Sequence, residues 1–213
     1  MKVTRFVFNP FGENTYIIYD PVSREAAVVD PGMTDDRERQ ALDGYVAREG
    51  LKITHLINTH MHLDHIFGNG YVREKYGVKV EANPADAPLG ENAPEQARRF
   101  GMLYPVEPSQ VEVGLHDGDS FRLGDEEVKV IGVPGHSPGG IALYCPESGF
   151  VLTGDSLFDS SIGRTDLPGG DHETLVRAVR ERLLTLPPQT VVLPGHGGET
   201  TVGAELRSNP YVR

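Results

Sequence analysis

The order of patterns along the chain predicts an α/β fold made of two similar halves, each a sheet with helices on its outer side. Short β-branched or aromatic runs, closed by Asn-Pro, Asp-Pro and Gly turns, alternate with longer stretches of helical periodicity. Their order reads βββ-αβαβ and then βββββ-αβ, so the same sheet-forming theme occurs twice.

The first three runs, Val3 to Phe8, Thr15 to Tyr19 and Ala26 to Val29, are separated by tight turns and read as antiparallel strands. Between Asp35 and Glu49 the apolar positions Leu42, Tyr45 and Val46 recur at helical spacing, and Gly50 stops the helix. A strand over 52–57, a helix over 64–76 and a strand over 78–82 complete a β-α-β unit. Residues 83–109 are a proline-rich excursion with one helix near Pro94 to Met102, entered at its first turn by that proline. Strands follow near 111–113, 120–123, 127–132, 140–145 and 150–153, then a helix over 172–185 and a strand over 190–193.

Across 213 residues no linker-like run divides the chain, so a single domain over 1–213 is expected. With 38% hydrophobic and 24% charged residues there is enough apolar material for a sizeable core. A net charge of −11 leaves no basic face for phosphate backbones, which argues against nucleic acid as a partner. The lone cysteine, Cys145, sits in an apolar run as a buried inert thiol. That usage, with no signal-peptide pattern and no run of 18 apolar residues, predicts a cytoplasmic protein with no membrane partner.

Thr59-His60-Met61-His62-Leu63-Asp64-His65 packs three imidazoles and a carboxylate into six positions, an inventory suited to borderline divalent metals. The apolar strand before it brings His60 and His62 to a strand end where a period of two aims both rings the same way, and Asp64 and His65 open the next helix. Three further residues share one context, an apolar strand followed by a Gly turn: His136, Asp155 and His196. The preceding glycine lets the backbone turn and approach without a clashing Cβ. These seven groups are too many for one zinc, which takes about three or four protein ligands. With Asp155 as a bridge they divide into His60, His62 and His136 on one ion and Asp64, His65 and His196 on a second. Paired ions roughly 3.5–4 Å apart clamp a bridging hydroxide and lower its pKa towards neutrality. His55, His116 and His172 are assigned to structural or surface positions.

The ordered set His60, His62, Asp64, His65, His136, Asp155 and His196 resembles the metallo-β-lactamase superfamily, over most of the chain. The segments Pro134 to Gly139, Gly154 to Phe158, Gly163 to Asp166, Gly170 to His172 and Pro194 to Gly197 resemble its short glyoxalase II-like (hydroxyacylglutathione hydrolase-like) members. The resemblance implies a four-layer αββα sandwich, two divalent metal ions, and hydrolysis of a 2-hydroxyacyl thioester of glutathione. Zinc is the first choice of metal, with iron or manganese accepted by the same ligands. Asp30 matches the family's early aspartate, which implies a role in orienting a ligand. Full-length glyoxalase II enzymes add a helical C-terminal domain, whereas 17 residues follow His196 here. Arg164 falls at their basic, carboxylate-contacting position, but Thr165 and Asp166 replace the aromatic pair.

The Gly163-Arg164-Thr165-Asp166 form also resembles persulfide dioxygenases, which implies the alternative of one iron and oxidation of glutathione persulfide. In the hydrolase reading Asp64 and Asp155 are the catalytic carboxylates, Arg164 binds substrate, and the thiolate leaves with little acid assistance because a thiol pKa is about 8.5. The expected partner is a small molecule, a glutathione or other thiol ester. Phe100, Met102, Leu103 and Tyr104 are candidates either to wall its pocket or to pack into the core.

Overall fold

Two six-stranded sheets divide the chain between them in a computed structural model that describes residues 1–102 and 106–212. The first contains β1 (Lys2–Phe8), β2 (Glu13–Tyr19), β3 (Glu25–Val29), β4 (Lys52–Ile57), β5 (Val80–Ala82) and β6 (Val113–Gly114), hydrogen-bonded in that order. The second contains β7 (Ser120–Leu123), β8 (Glu126–Gly132), β9 (Ile141–Cys145) and β10 (Phe150–Gly154), then, after the separate hairpin β11 (Leu157–Phe158) and β12 (Ser161–Ile162), β13 (Val191–Pro194) and β14 (Thr200–Thr201). The helices are α1 (Asp36–Glu49), α2 (Leu63–Ile66), α3 (Asn69–Tyr76), α4 (Ala87–Glu91), α5 (Ala93–Arg99), α6 (His172–Ala178) and α7 (Val202–Ser208).

Alternation along the central strands sorts the apolar side chains into three cores. Tyr16 and Ile18 of β2 face the second sheet and meet Val130, Ile141, Leu143 and Leu152. Their neighbours Ile17 and Tyr19 face the other way, onto Leu42 and Val46 of α1. On the far side, Ala142, Val151 and Val192 pack against Leu175 of α6 and Val202 of α7. Helix, sheet, sheet and helix therefore stack as four layers, the αββα sandwich expected. Every residue of β2 is buried, as a strand covered on both faces must be.

Strand direction follows the connections. β1 to β3 are joined by tight turns and run antiparallel, while β3, β4 and β5 are parallel because α1 and α3 carry the chain back between them. β10 and β13 are likewise parallel across α6. α1 starts where Asp35 accepts from the Glu38 N–H at 2.9 Å and stops at Gly50 in the left-handed region.

Several elements depart from the sequence reading. The helix expected over 64–76 is split into α2 and α3, because the Gly68 N–H leaves the helical ladder to donate to the Pro31 carbonyl at 2.7 Å. The helix expected over 172–185 is α-helical only to Ala178 and then widens into a π-helical turn at Val179–Leu183. The excursion holds a 3-10 turn at Pro84–Asp86 and α4 in addition to α5. The β11–β12 hairpin, β14 and α7 are too short to leave a periodic pattern. Among the described residues no helix is long and apolar enough to cross a membrane.

Cys145 is buried between the sheets, and burial pushes its thiol pKa up, the inert state expected. His55 bonds Glu81 at 2.8 Å, and His116 and His172 are exposed, so none of the three joins the cluster described below. Leu143 is fully buried at the centre of the inter-sheet core. Leu143→Ala is expected to cost about 2–5 kcal/mol, measured as a lower urea midpoint at unchanged slope.

Candidate metal centre

Four strands of the sandwich end at one edge, and the chemistry-bearing side chains sit on the loops that leave them. His60 and His62 follow β4, Asp64 and His65 lie on α2, His136 lies between β8 and β9, Asp155 follows β10, and His196 follows β13. All seven residues picked out from the sequence meet there. The turn glycines are required by crowding: a Cβ on Gly154 would lie 2.3 Å from Thr59 Oγ1, and one on Gly195 would lie 2.2 Å from Asp155 Oδ1.

The first cluster is His60, His62 and His136, all buried. The Thr59 hydroxyl donates to Asp30 Oδ2 at 2.6 Å, so its oxygen is left to accept from His60 Nδ1 at 3.2 Å. His136 Nδ1 donates to the Arg164 carbonyl at 2.7 Å. These bonds leave the lone pair on Nε2 of both rings, and the two Nε2 atoms lie 3.2 Å apart. His62 Nδ1 is 2.9 Å from His136 Nε2, and His62 Nε2 is buried without a partner among the described residues. Lone pairs pointed at each other repel. Ligands bound about 2.0–2.1 Å from one zinc stand roughly 3.3–3.4 Å apart at the tetrahedral angle, close to the spacing found. The donor set therefore fits a divalent cation held by three imidazoles.

The second cluster is Asp64, His65 and His196. His196 Nε2 lies 3.1 Å and His65 Nε2 3.8 Å from Asp64 Oδ2. Asp155 spans both clusters: Oδ2 is 3.6 Å from His136 Nε2 and 3.6 Å from His196 Nε2, and Oδ1 is 3.4 Å from His65 Nε2. Asp155 Oδ1 and His65 Nε2 are buried without a hydrogen bond among the described residues, and buried polar atoms rarely stay so. A cation between the clusters satisfies both.

Titration behaviour follows the same division. Burial, then the neighbouring imidazoles, push His60 well below the ordinary histidine range, and burial brings His62 down to about 3. Both rings are thus neutral, as ligands must be. Burial opposes charge on His65, but the facing carboxylates of Asp155, Asp64 and Asp30 outweigh it and raise its pKa. Burial likewise raises Asp155, and the opposing charge of His65 overrides it and holds the carboxyl well below the usual range. The second cluster is a place of concentrated negative charge whose counter-charge is cationic.

Two buried carboxylates hold the ligand loops. Asp30 accepts from the Thr59 N–H at 2.7 Å and lies 3.2 Å from His65 Nδ1. Asp86 carries no signal in the sequence, where Pro84-Ala85-Asp86 reads as an ordinary turn. Its Oδ2 accepts from the Met61 N–H at 3.2 Å and the Ser137 hydroxyl at 2.8 Å, and its Oδ1 from the Gly139 N–H at 2.5 Å. One carboxylate thus ties the loop between His60 and His62 to the loop of His136. The His196 loop is pinned from β2, where Asn14 Nδ2 and the Tyr16 hydroxyl both donate to the Pro194 carbonyl at 2.8 Å.

The cluster opens into a pocket of about 200 Å³ lined by His62, Asp64, His136, Asp155 and His196 and, opposite them, by Phe11, Leu63, Gln96, Phe100, Arg164 and Leu167. Arg164 sits at its mouth in a bidentate pair with Asp166, both bonds 2.7 Å. Phe100 lines this pocket, whereas Met102 packs on the first core. Leu103 and Tyr104 lie outside the described residues.

A family model described as Metallo-beta-lactamase superfamily matches residues 8–196. Hydroxyacylglutathione hydrolase GloC of Haemophilus influenzae is 35% identical over 100% of this chain and 98% of its own length. The crystal structure of BLEG-1, a B3 metallo-beta-lactamase, superimposes with TM-score 0.89 at 33% identity, covering 99% of each chain. That of TTHA1623 in a di-iron-bound form gives TM-score 0.86 at 36% identity, covering 98% of this chain and 99% of that one.

Asp86→Asn keeps the volume but places an amide donor against groups that are themselves donors. Metal affinity is expected to fall about 10–100-fold with the fold retained, measured by competition with a chromophoric chelator. Unchanged affinity would show that the two loops hold their shape without it.

Proposed function

The chain belongs to the metallo-β-lactamase superfamily, and from that premise we propose that it is a metal-dependent hydrolase acting on a 2-hydroxyacyl thioester. One observation carries the reading: a cluster of three buried imidazoles and a second of Asp64, His65 and His196 share Asp155, which lies 3.4–3.6 Å from His65, His136 and His196. The residues assigned to the first ion are His60, His62 and His136, and those to the second Asp64, His65 and His196, with Asp155 on both. Divalent ions held there supply Lewis acidity and a bound water acidic enough to attack at neutral pH.

The chain's own groups supply the rest. Asp155 and Asp64 face the pocket as anions and set where positive charge can collect. Water oxygen bonds to the thioester carbonyl carbon, the carbon–sulfur bond breaks with its electron pair passing to sulfur, and the water's protons go to solvent and product. Because a thiol has a pKa of about 8.5, sulfur leaves as the anion and no protonated acid is required at the leaving atom. Amide cleavage differs in that its leaving amine must be protonated. The similarity to GloC supports the same class of substrate.

A second reading rests on the Gly163 to Asp166 turn, the form that resembles persulfide dioxygenases. It requires about one iron per chain and uptake of oxygen.

Elemental analysis together with assay of a lactoyl thioester and of glutathione persulfide separates the two. The hydrolase reading expects up to about two metals per chain and free thiol released without oxygen consumption. Oxygen uptake with one iron would replace it with the second. Asp155→Ala is expected to lower turnover at least about a hundredfold and to reduce bound metal; normal turnover at normal metal content would remove Asp155 from the shared position.

A further inference from the structure

Apart from the histidine and carboxylate cluster, the described residues that line the pocket are mostly apolar or aromatic. Among the described lining residues the one arginine or lysine is Arg164, and its guanidinium is held in an exposed bidentate pair by both carboxylate oxygens of Asp166 at 2.7 Å. Gln96 is occupied at both ends, its Nε2 donating to the Leu89 carbonyl at 2.7 Å and its Oε1 accepting from the Leu63 N–H at 3.3 Å. What remains is Phe11, Leu63, Phe100 and Leu167. Phe11 and Phe100 meet edge to face, 5.7 Å between centroids, yet stay 40% and 48% exposed. Two large aromatic rings at the mouth of a site, half open to water, gain apolar burial when a ligand covers them.

Phe11 is placed there by construction. Its N–H donates to Asn9 Oδ1 at 2.9 Å, and Asn9 Nδ2 donates to the Asp64 carbonyl at 3.1 Å, so the β1–β2 turn that presents the ring is fastened to the second metal cluster. A cavity of about 150 Å³ suffices for benzene, so about 200 Å³ accommodates a single ring or a short branched chain beside the reacting carbonyl.

We propose that this wall receives the leaving-thiol arm of the substrate and that the arm is compact, uncharged and apolar, rather than a charged peptide thiol. The inference rests on the thioesterase reading and narrows it. A glutathione arm brings two carboxylates to a wall whose one arginine is already paired, while a phenyl-sized arm covers Phe11 and Phe100.

The test uses inert analogues in which a methylene separates the lactoyl carbonyl from sulfur, one carrying a benzyl arm and one glutathione, titrated calorimetrically into metal-loaded protein. The benzyl analogue is expected to bind about tenfold more tightly, and Phe11→Ala and Phe100→Ala, at exposed positions, to weaken it about tenfold while leaving the glutathione analogue unchanged. Equal or tighter binding of the glutathione analogue, or equal losses on both, would overturn the proposal. The corresponding thioesters are assayed in parallel. If neither is cleaved while the binding pattern holds, the reaction class falls and the apolar arm stands; if both are cleaved with glutathione preferred, the reverse.

Discussion

Imidazole lone pairs facing one another across about 3 Å repel unless a cation lies between them, and the loops at one edge of this sandwich are built to hold them in that position. The Nε2 atoms of His60 and His136 lie 3.2 Å apart because each ring's other nitrogen is committed, one to Thr59 and one to the Arg164 carbonyl. That arrangement costs free energy in the protein alone and returns it on binding metal. The rest of the site elaborates it: a second cluster beside the first, and one aspartate within reach of both.

The ligands come from both halves of the chain, so holding them together is a problem of joining two sheets. Apolar packing between β2 and β3 on one side and β8 to β10 on the other brings the sheets together but does not aim loops. Aiming falls to a few buried polar groups: Asp30 and Asp86 at the first four ligands and His136, Asn14 and Tyr16 at His196. Glu13 is a further group of this kind. It is fully buried in β2, where burial pushes its carboxyl well above the ordinary range, and it is bridged to the His196 backbone. Buried polar atoms are costly unless paired, so each of these bonds also fixes a geometry.

The rest of the pocket's lining is built by different means from the histidine cluster. The cluster is polar and sits on the loops that follow the strands, whereas Phe11 and Phe100 lie on two surface segments, the β1–β2 turn and the end of α5. Such segments can change without disturbing the ligands. The exposed pair of Arg164 with Asp166 belongs to this layer too.

Reading residues in order was enough for the two-sheet plan, the core strands and the seven residues that meet at one edge, because alternation, turn residues and histidine clusters are local patterns in the sequence. The resemblance carried Asp30. What the linear order did not show is where unlike segments meet. Asp86 looks like any turn acid until Met61, Ser137 and Gly139 are seen around it, and Glu13 like any strand residue until β2 is covered on both faces. The break between α2 and α3, the occupied Arg164 and the ring pair over the pocket are likewise contacts between distant positions. Local patterns picked out the seven clustered residues; only tertiary packing decided which groups aim them and what pocket they line, because those are properties of neighbours in space that no periodicity records.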